Sequence, residues 1–268
     1  MDVNNSENLD QSMIESYLST DFFTVSVVQS TTSTNDDVKA LAQSAKEGLV
    51  IIANHQTHGR GRLNRQFISP AHKGIYLSIL IKPKTQAFQT QLFPLLCAVA
   101  MSEAIFQCTE LFVSLKWVND LMIHHKKIGG ILCESLMDAN GQVSSLVVGI
   151  GINVHSFPFP KDERHQIGCL ADFTSQPIHR NQLIATFLHR FHHYYIKWDA
   201  SDIVSRYRQY CAFLHQKIVV HHHDLVYEAT ALTIDEQGYL VVMSADQKIH
   251  QLISEEISIQ VFPDLSTQ

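Results

Sequence analysis

Several things are missing from this chain, and each absence removes a class of protein. Its five cysteines (Cys97, Cys108, Cys133, Cys169 and Cys211) never form a CxxC pair, so neither a disulfide framework nor a cysteine zinc cage is expected. They read as reduced thiols of a cytoplasmic protein. The apolar runs, such as residues 75–81 and 146–152, stop far short of the ~20 residues a membrane helix needs, and no membrane partner is expected. There is no surplus of basic residues. A net charge of −6 argues against non-specific nucleic-acid binding, which depends on a cationic surface. The opening MDVNNSENLD is the reverse of the basic-then-apolar pattern of a secretory signal. Residues 1–20 also hold too few apolar positions for a domain of their own, so no DNA-binding module is expected there. No GxxxxGK[ST] phosphate loop, HExxH pair, internal repeat or low-complexity tract occurs.

Arginine is scarce too, with eight in 268 residues. Three of them, Arg60, Arg62 and Arg65, fall inside GRGRLNRQF (residues 59–67). Acidic side chains already supply solubility, so the cluster needs another reason, and the simplest is a phosphate or carboxylate ligand. A guanidinium stays charged and meets an oxyanion with two parallel N–H donors. Gly59 and Gly61 would let the backbone approach a ligand and visit positive φ.

The pattern along the chain predicts how this segment is held. Thr34 or Asn35 can cap a helix with Asp36 and Asp37 in its first turn, a buried stripe of Val38, Leu41, Ala42 and Ala45, and a stop at Gly48. LVIIAN (49–54) reads as a buried strand, so the arginine segment is a loop after a strand end. Strands follow at 74–82, 112–117 and 121–125, with an apolar helix between them at 91–107. KIGGILCES and SLVVGIGINV make two more, joined at Asn140–Gly141. Helices are expected at 181–195 and 201–212, and residues 156–181 read as a long loop near the site. After about residue 214 the alternation is β-like, with a turn at Asp235–Gly238.

Four segments invite a chemical reading: STN at 33–35, HQTHGRGRLNRQF at 55–67, KWVNDLMIHHKKIGGILCE at 116–134 and GIGIN at 149–153. Taken singly, STN is a helix cap and GIGIN a closely packed strand; GIGIN lacks the third glycine and following helix of a dinucleotide site. Together, in this order, they resemble the biotin protein ligase family, the biotin–[acetyl-CoA-carboxylase] ligases. The resemblance covers residues 33–153 by motif and nearly the whole chain by length and β-rich tail. It implies an α+β fold like that of class II aminoacyl-tRNA synthetases, with a mixed, largely antiparallel sheet backed by helices. The implied domains are a catalytic one over 1–213 and a small Src-homology-3-like β-barrel over 214–268. The type implied is the monofunctional one, without an N-terminal DNA-binding domain.

The same resemblance implies a reaction. Biotin is activated with ATP and Mg²⁺ to biotinyl-5′-AMP, then passed to one lysine of the biotin carboxyl carrier domain of acetyl-CoA carboxylase. A carboxylate approaching an α-phosphate to 4 Å is repelled by about 4 kcal/mol at an effective dielectric of 20, and fixed cations must offset this. By motif, Arg60, Arg62 and Lys127 would stabilise the moving charge, with Gly59, Gly61 and Arg65 in the same loop. Ser33, Thr34, Asn35 and Gln56 would hydrogen-bond the ureido ring, which needs both donors and acceptors. Lys116, Trp117, Asn119 and Asp120 match KWxND, Trp117 being expected beside the apolar bicycle. Gly129 and Gly130 would let a strand lie close to biotin. Asn153 would face the triphosphate and its Mg²⁺. Closure of the arginine loop would keep water from the mixed anhydride.

The chain departs from the family pattern at Asn64, where glycine is usual, at Val118, where proline is usual, and at Phe67, where tryptophan is common. The tail ISEEISIQ lacks the usual glycine and arginine, so no site is expected there. Sixteen histidines suggest metal, but in HHH (221–223) strand alternation lets at most two share an ion, and no metal site is expected. His124 and His125 read as a turn, and His192 and His193 as part of a helix face. Lipoate or octanoyl transfer is the nearest rival activity. A non-catalytic biotin sensor is another, and it leaves the charged residues without a purpose. The oligomeric state stays open between monomer and homodimer.

Overall fold

A computed structural model describes residues 8–83, 89–159, 166–222, 225–253 and 257–261. Seven strands form the main sheet, in the order β1-β2-β3-β7-β6-β5-β4. They are β1 (Thr24–Val28), β2 (Leu49–Ala53), β3 (Gly74–Ile81), β4 (Ser114–Lys116), β5 (Asp120–Ile123), β6 (Lys126–Met137) and β7 (Val143–Asn153). Only β1 with β2 is parallel; every other neighbouring pair runs antiparallel. The sheet is therefore mixed and backed by helices, as expected.

Period-two alternation gives this sheet two different faces. On one, Val50, Ile52, Ile75, Leu77, Ile79, Val148, Ile150 and Ile152 are buried against a helical layer. That layer is α1 (Gln11–Tyr17), α3 (Phe93–Thr109), α4 (Arg180–Ile196) and α5 (Ala200–Tyr210). α3 is apolar all round because it lies inside the layer, with Pro94 in its first turn, where a missing N–H does no harm. With the turn before it, Thr90–Thr109 is long and apolar enough by composition to cross a membrane, yet 72% of its apolar window is covered by the rest of the fold. That is the signature of a core helix.

The other face is covered only in part, by α2 (Thr34–Leu41). Val38 of α2 and Ala42 just after it pack on Ile51, Leu80 and Val147 in a small separate core. Leu41, expected in the buried stripe, is instead 44% exposed. Beyond the N-terminal end of α2 this face carries the Phe67 ring, set against Gly151 and Tyr76.

Two N-terminal elements have no counterpart in the sequence expectations. α1 begins where the Asp10 carboxylate accepts from the Met13 amide, and it buries Ile14. β1, TVSVV, adds the parallel edge. Both use only a few apolar residues, and α1 leans on α4 through Asn181, whose amide meets the Asp10 N–H and the Asn8 carbonyl.

A second, five-stranded antiparallel sheet has the order β11-β10-β9-β8-β12. Its strands are β8 (Lys217–His222), β9 (Leu225–Ile234), β10 (Leu240–Ser244), β11 (Ile249–Leu252) and β12 (Ile257–Val261). Its Asp235–Gly238 turn docks on the main body. Gly238 has φ 82°, and a Cβ there would fall 2.7 Å from Leu92 Cδ2, so only glycine suits both the conformation and the contact. The Gly238 carbonyl accepts the Trp117 indole N–H at 3.1 Å.

Candidate active site

Directly opposed residues of an antiparallel pair point to the same side of a sheet. The pairings Lys116↔Asp120, Asp120↔Gly130, Gly130↔Gly151 and Gly151↔Tyr76 therefore make one row across the open face, with Gly149↔Ser78 in the next. Three glycines, Gly130, Gly149 and Gly151, lie at its centre. Two of them must be bare: a Cβ on Gly149 would overlap the Asn35 carboxamide, and one on Gly151 would sit 2.6 Å from the Phe67 ring, whereas one on Gly130 would meet nothing nearer than 3.5 Å. Gly129 points the other way, where a Cβ would come 2.5 Å from Ile152 Cδ1.

One end of this floor is a neutral polar cluster. Ser33, Thr34 and Asn35 start α2, and all three are buried, at 1%, 3% and 5% exposure. The Gln56 side-chain oxygen accepts from the Thr34 amide at 2.9 Å and lies 3.2 Å from its hydroxyl. Thr34 Oγ1 meets Ser78 Oγ at 2.7 Å, and Ser78 donates to Asn35 Oδ1 at 2.5 Å. Asn35 Nδ2 donates to Glu134 Oε2 at 2.7 Å. Burial would raise the Glu134 carboxyl, but hydrogen bonds from Lys39 and Asn35, with the charges of Lys39 and Arg60, hold it below the ordinary glutamate value.

The other end is cationic. Asp120 pairs with Lys127 at 2.5 Å and lies within electrostatic reach of Arg62 and Lys116. Arg62 donates to Asn119 Oδ1 at 3.3 Å, and Asn119 is tied to β6 by its amide on the Ile131 carbonyl at 2.8 Å. Burial lowers the Arg62 guanidinium; Asp120 and Tyr207 oppose that and Arg65 adds to it. Burial likewise lowers Lys116, against Asp120 and with Lys127 and Arg65. One carboxylate thus faces three cations, Lys127, Arg62 and Lys116, a surplus of positive charge that suits an anionic ligand.

Arg60 stands between the two ends. Its Nη1 is 2.7 Å from Asp36 and 3.7 Å from Glu134. The loop around it folds back on itself: Gly61 N–H donates to the Arg65 carbonyl at 2.7 Å and Phe67 N–H to the Gly59 carbonyl at 2.8 Å. Neither glycine takes up the positive φ expected for it; Leu63, at φ 53°, holds the left-handed position. Gly59 is needed for closeness instead, since a Cβ there would lie 2.6 Å from Ser69 Oγ and overlap the Phe67 carbonyl.

Trp117 lies behind the open floor, and Asn153 lies on its face but is buried. Trp117 is 4% exposed within the main core, its N–H given to Gly238, and the peptide bond to Val118 is cis. Asn153 is buried at the far end of the glycine row and donates to the Gly168 carbonyl at 3.1 Å. The long loop does reach the site: Lys127 N–H donates to the Gln166 carbonyl and accepts from Gly168 N–H through its own carbonyl.

Sequence reasoning missed Ser78, Glu134 and Asp36. Ser78 had a signal, being the one serine amid the apolar GIYLSILI of β3, all eight residues of which are buried. Among the described residues no three His, Cys, Asp or Glu side chains gather as a metal cage. His124 and His125 lie in the β5–β6 turn and His192 and His193 on α4, as expected. His223 of the HHH run lies outside the described residues.

Comparison with known proteins identifies the class first. The sequence model of the Biotin/lipoate A/B protein ligase family matches residues 25–153. The biotin–[acetyl-CoA-carboxylase] ligase of Mycobacterium tuberculosis is 30% identical over 243 residues, covering 84% of this chain and 88% of that one. The bifunctional ligase/repressor BirA of Bacillus subtilis is 28% identical over 233 residues, 85% of this chain and 71% of that one. The solved biotin protein ligase of Aquifex aeolicus, in complex with biotin and ATP, superposes with a TM-score of 0.77 at 25% identity, covering 89% of this chain and 99% of that one. This chain belongs to the biotin protein ligase family.

Proposed function

We infer that this enzyme joins biotin to a lysine of the biotin carboxyl carrier domain of acetyl-CoA carboxylase or a related carboxylase, using ATP. The observation that carries the reading is the placement of a buried neutral polar cluster and a surplus of cations at two ends of one glycine floor. Biotin has that same division, a polar uncharged ring at one end and a carboxylate at the other.

In the first half-reaction a biotin carboxylate oxygen attacks the α-phosphorus of ATP, and the bond to the pyrophosphate oxygen breaks. Ser33, Thr34, Asn35 and Gln56 hold the ureido ring. Gly130 and Gly151, with Phe67 above Gly151, leave room for the flat bicycle and the chain beyond it. Arg60, Arg62, Arg65, Lys116 and Lys127 offset the repulsion between carboxylate and phosphates, and they stabilise the charge that passes to pyrophosphate. Asn119 and Asp120 aim Arg62 and Lys127. Asn153, whose side-chain amide N–H is given to the Gly168 carbonyl, would offer its side-chain oxygen to a Mg²⁺ carried by the phosphates, which would supply neutralising charge there. In the second half-reaction the carrier lysine attacks the acyl carbon and AMP leaves.

The remaining parts of the reading are an outer division into residues 1–213 and 214–268, closure of the small sheet as a Src-homology-3-like barrel, and a cytoplasmic home as monomer or homodimer. Support for the barrel comes from the antiparallel order of its five strands, and for the compartment from the unpatterned cysteines. Biotin-dependent exchange between ATP and pyrophosphate, followed by transfer to a purified carrier domain, tests the function. Exchange with lipoate instead of biotin, or none, overturns it.

A further inference from the structure

We propose that Glu134 fixes the orientation of the Asn35 carboxamide and through it the affinity of the site for the ureido ring. This positioning role rests on the reading of residues 33–35 and Gln56 as ring-binding. An asparagine amide has the same shape either way round but a donor at one end and an acceptor at the other. An ionised carboxylate only accepts. With Glu134 Oε2 2.7 Å from Asn35 Nδ2, the donor end must face Glu134 and the acceptor end must face Ser78.

That choice propagates. Ser78 becomes the donor to Asn35 Oδ1, and since it has one proton, its oxygen is left to accept from Thr34 Oγ1 at 2.7 Å. The single Thr34 hydroxyl proton then goes to Ser78 rather than to Gln56 Oε1, 3.2 Å away, while Gln56 takes its own orientation from the Thr34 backbone N–H at 2.9 Å and turns its Nε2 to Ser69 Oγ at 2.9 Å. Ser69 then donates to the Phe67 carbonyl at 3.0 Å, where the arginine loop ends. A single carboxylate thus sets the donor–acceptor sense of Asn35, Ser78 and the Thr34 hydroxyl, and backbone groups set that of Gln56 and Ser69. A glutamine at 134 either donates or accepts, and two senses compete.

The charge on Glu134 also outlasts movement of the loop. Lys39 Nζ lies 2.6 Å from Oε1, closer than Arg60 at 3.7 Å. When Arg60 turns from Asp36 and Glu134 toward a phosphate, Lys39 remains as counter-charge. The ring end therefore stays set while the anion end rearranges.

Steady-state pyrophosphate exchange on the full-length protein, with biotin and ATP each varied, tests this, with calorimetric biotin binding as a second readout. Glu134→Gln is expected to raise the biotin KM about tenfold, the equivalent of one mis-set hydrogen bond, while kcat and the ATP KM stay within about threefold. Glu134→Asp should recover part of the lost affinity. An unchanged biotin KM in folded Glu134→Gln, or a loss confined to kcat, overturns the proposal. Ser78→Ala removes the donor to Asn35 Oδ1 without touching a charge and should raise the biotin KM by a smaller factor. If Glu134→Gln does not fold, an unchanged biotin KM in Ser78→Ala overturns the proposal by itself. A wild-type protein that binds no biotin would overturn the site reading and this inference with it, a result distinct from a silent variant.

Discussion

The two ends of the glycine floor are organised on opposite principles. At the ring end, Ser33, Thr34 and Asn35 are buried, and the donors and acceptors of Thr34, Asn35, Gln56 and Ser78 are engaged with one another in a fixed order. At the anion end, Arg60 is 46% exposed and Lys127 36%, and their partners Asp36 and Asp120 are carboxylates that an incoming anion can replace. The first end is preorganised, so ligand binding there loses little ordering entropy. The second holds its cations in exchangeable pairs, and its full electrostatic effect appears only when substrate excludes water.

The strongest test of this contrast is removal of a cation. Arg62→Ala should lower biotin-dependent pyrophosphate exchange about 100-fold or more, in the range for deleting one preorganised charge-stabilising donor, and should speed escape of the adenylate into solution. An adenylate held as tightly as in wild type would show that the loop does not act as its lid. A smaller effect should follow from disturbing the other end. Gly149→Ala places a methyl against the Asn35 carboxamide, a close-packing error of about 1–3 kcal/mol. The biotin KM should rise tenfold or more with the ATP KM unchanged; a rise in both would mean the ends are not independent.

Next comes the seam between the sheets. Trp117→Phe keeps the packing but leaves the Gly238 carbonyl without its donor, costing about 1 kcal/mol and a few degrees of Tm. Activity should change less than twofold if Trp117 supports the motif only from within the core, whereas a large rise in the biotin KM would put its ring against the ligand.

The smallest effect concerns pH. Glu134 faces Lys39, Arg60 and the Asn35 amide, with Asp36 close to both cations. Its carboxyl lies below its ordinary value of 4.5. A depressed carboxyl contributes stability that is complete above about 4.5 and is lost as pH falls through the lower folded value. Thermal unfolding of wild type should therefore lose ground on Glu134→Gln below pH 4.5 and run parallel to it above.

Much of this was legible in sequence, for physical reasons that differ by residue. The strands and turns carrying KWVND and GIGIN could be placed because their apolar alternation is strong and Asn140–Gly141 marks the hairpin. The cation cluster could be read because arginine is otherwise rare. α1 and β1 escaped because their stability comes from α4 and β2, through Asn181 and a parallel ladder, and little of it from their own apolar content. Leu63 in the left-handed region could not be anticipated, since nothing in a leucine favours it. Glu134 escaped because its significance lies in what stands 2.7 Å away and 99 residues earlier in the chain.

Trp117 has one further consequence. The chain has two tryptophans, and the other, Trp198, packs on Phe93 in the helical layer, 5.0 Å between rings. Trp117 alone lies where the small sheet meets the motif that carries Asn119 and Asp120. Its emission is thus a built-in optical gauge of that junction. In a Trp198→Phe background, a stopped-flow fluorescence change on mixing with biotin and then ATP would time how movement at the cation end is felt across the seam.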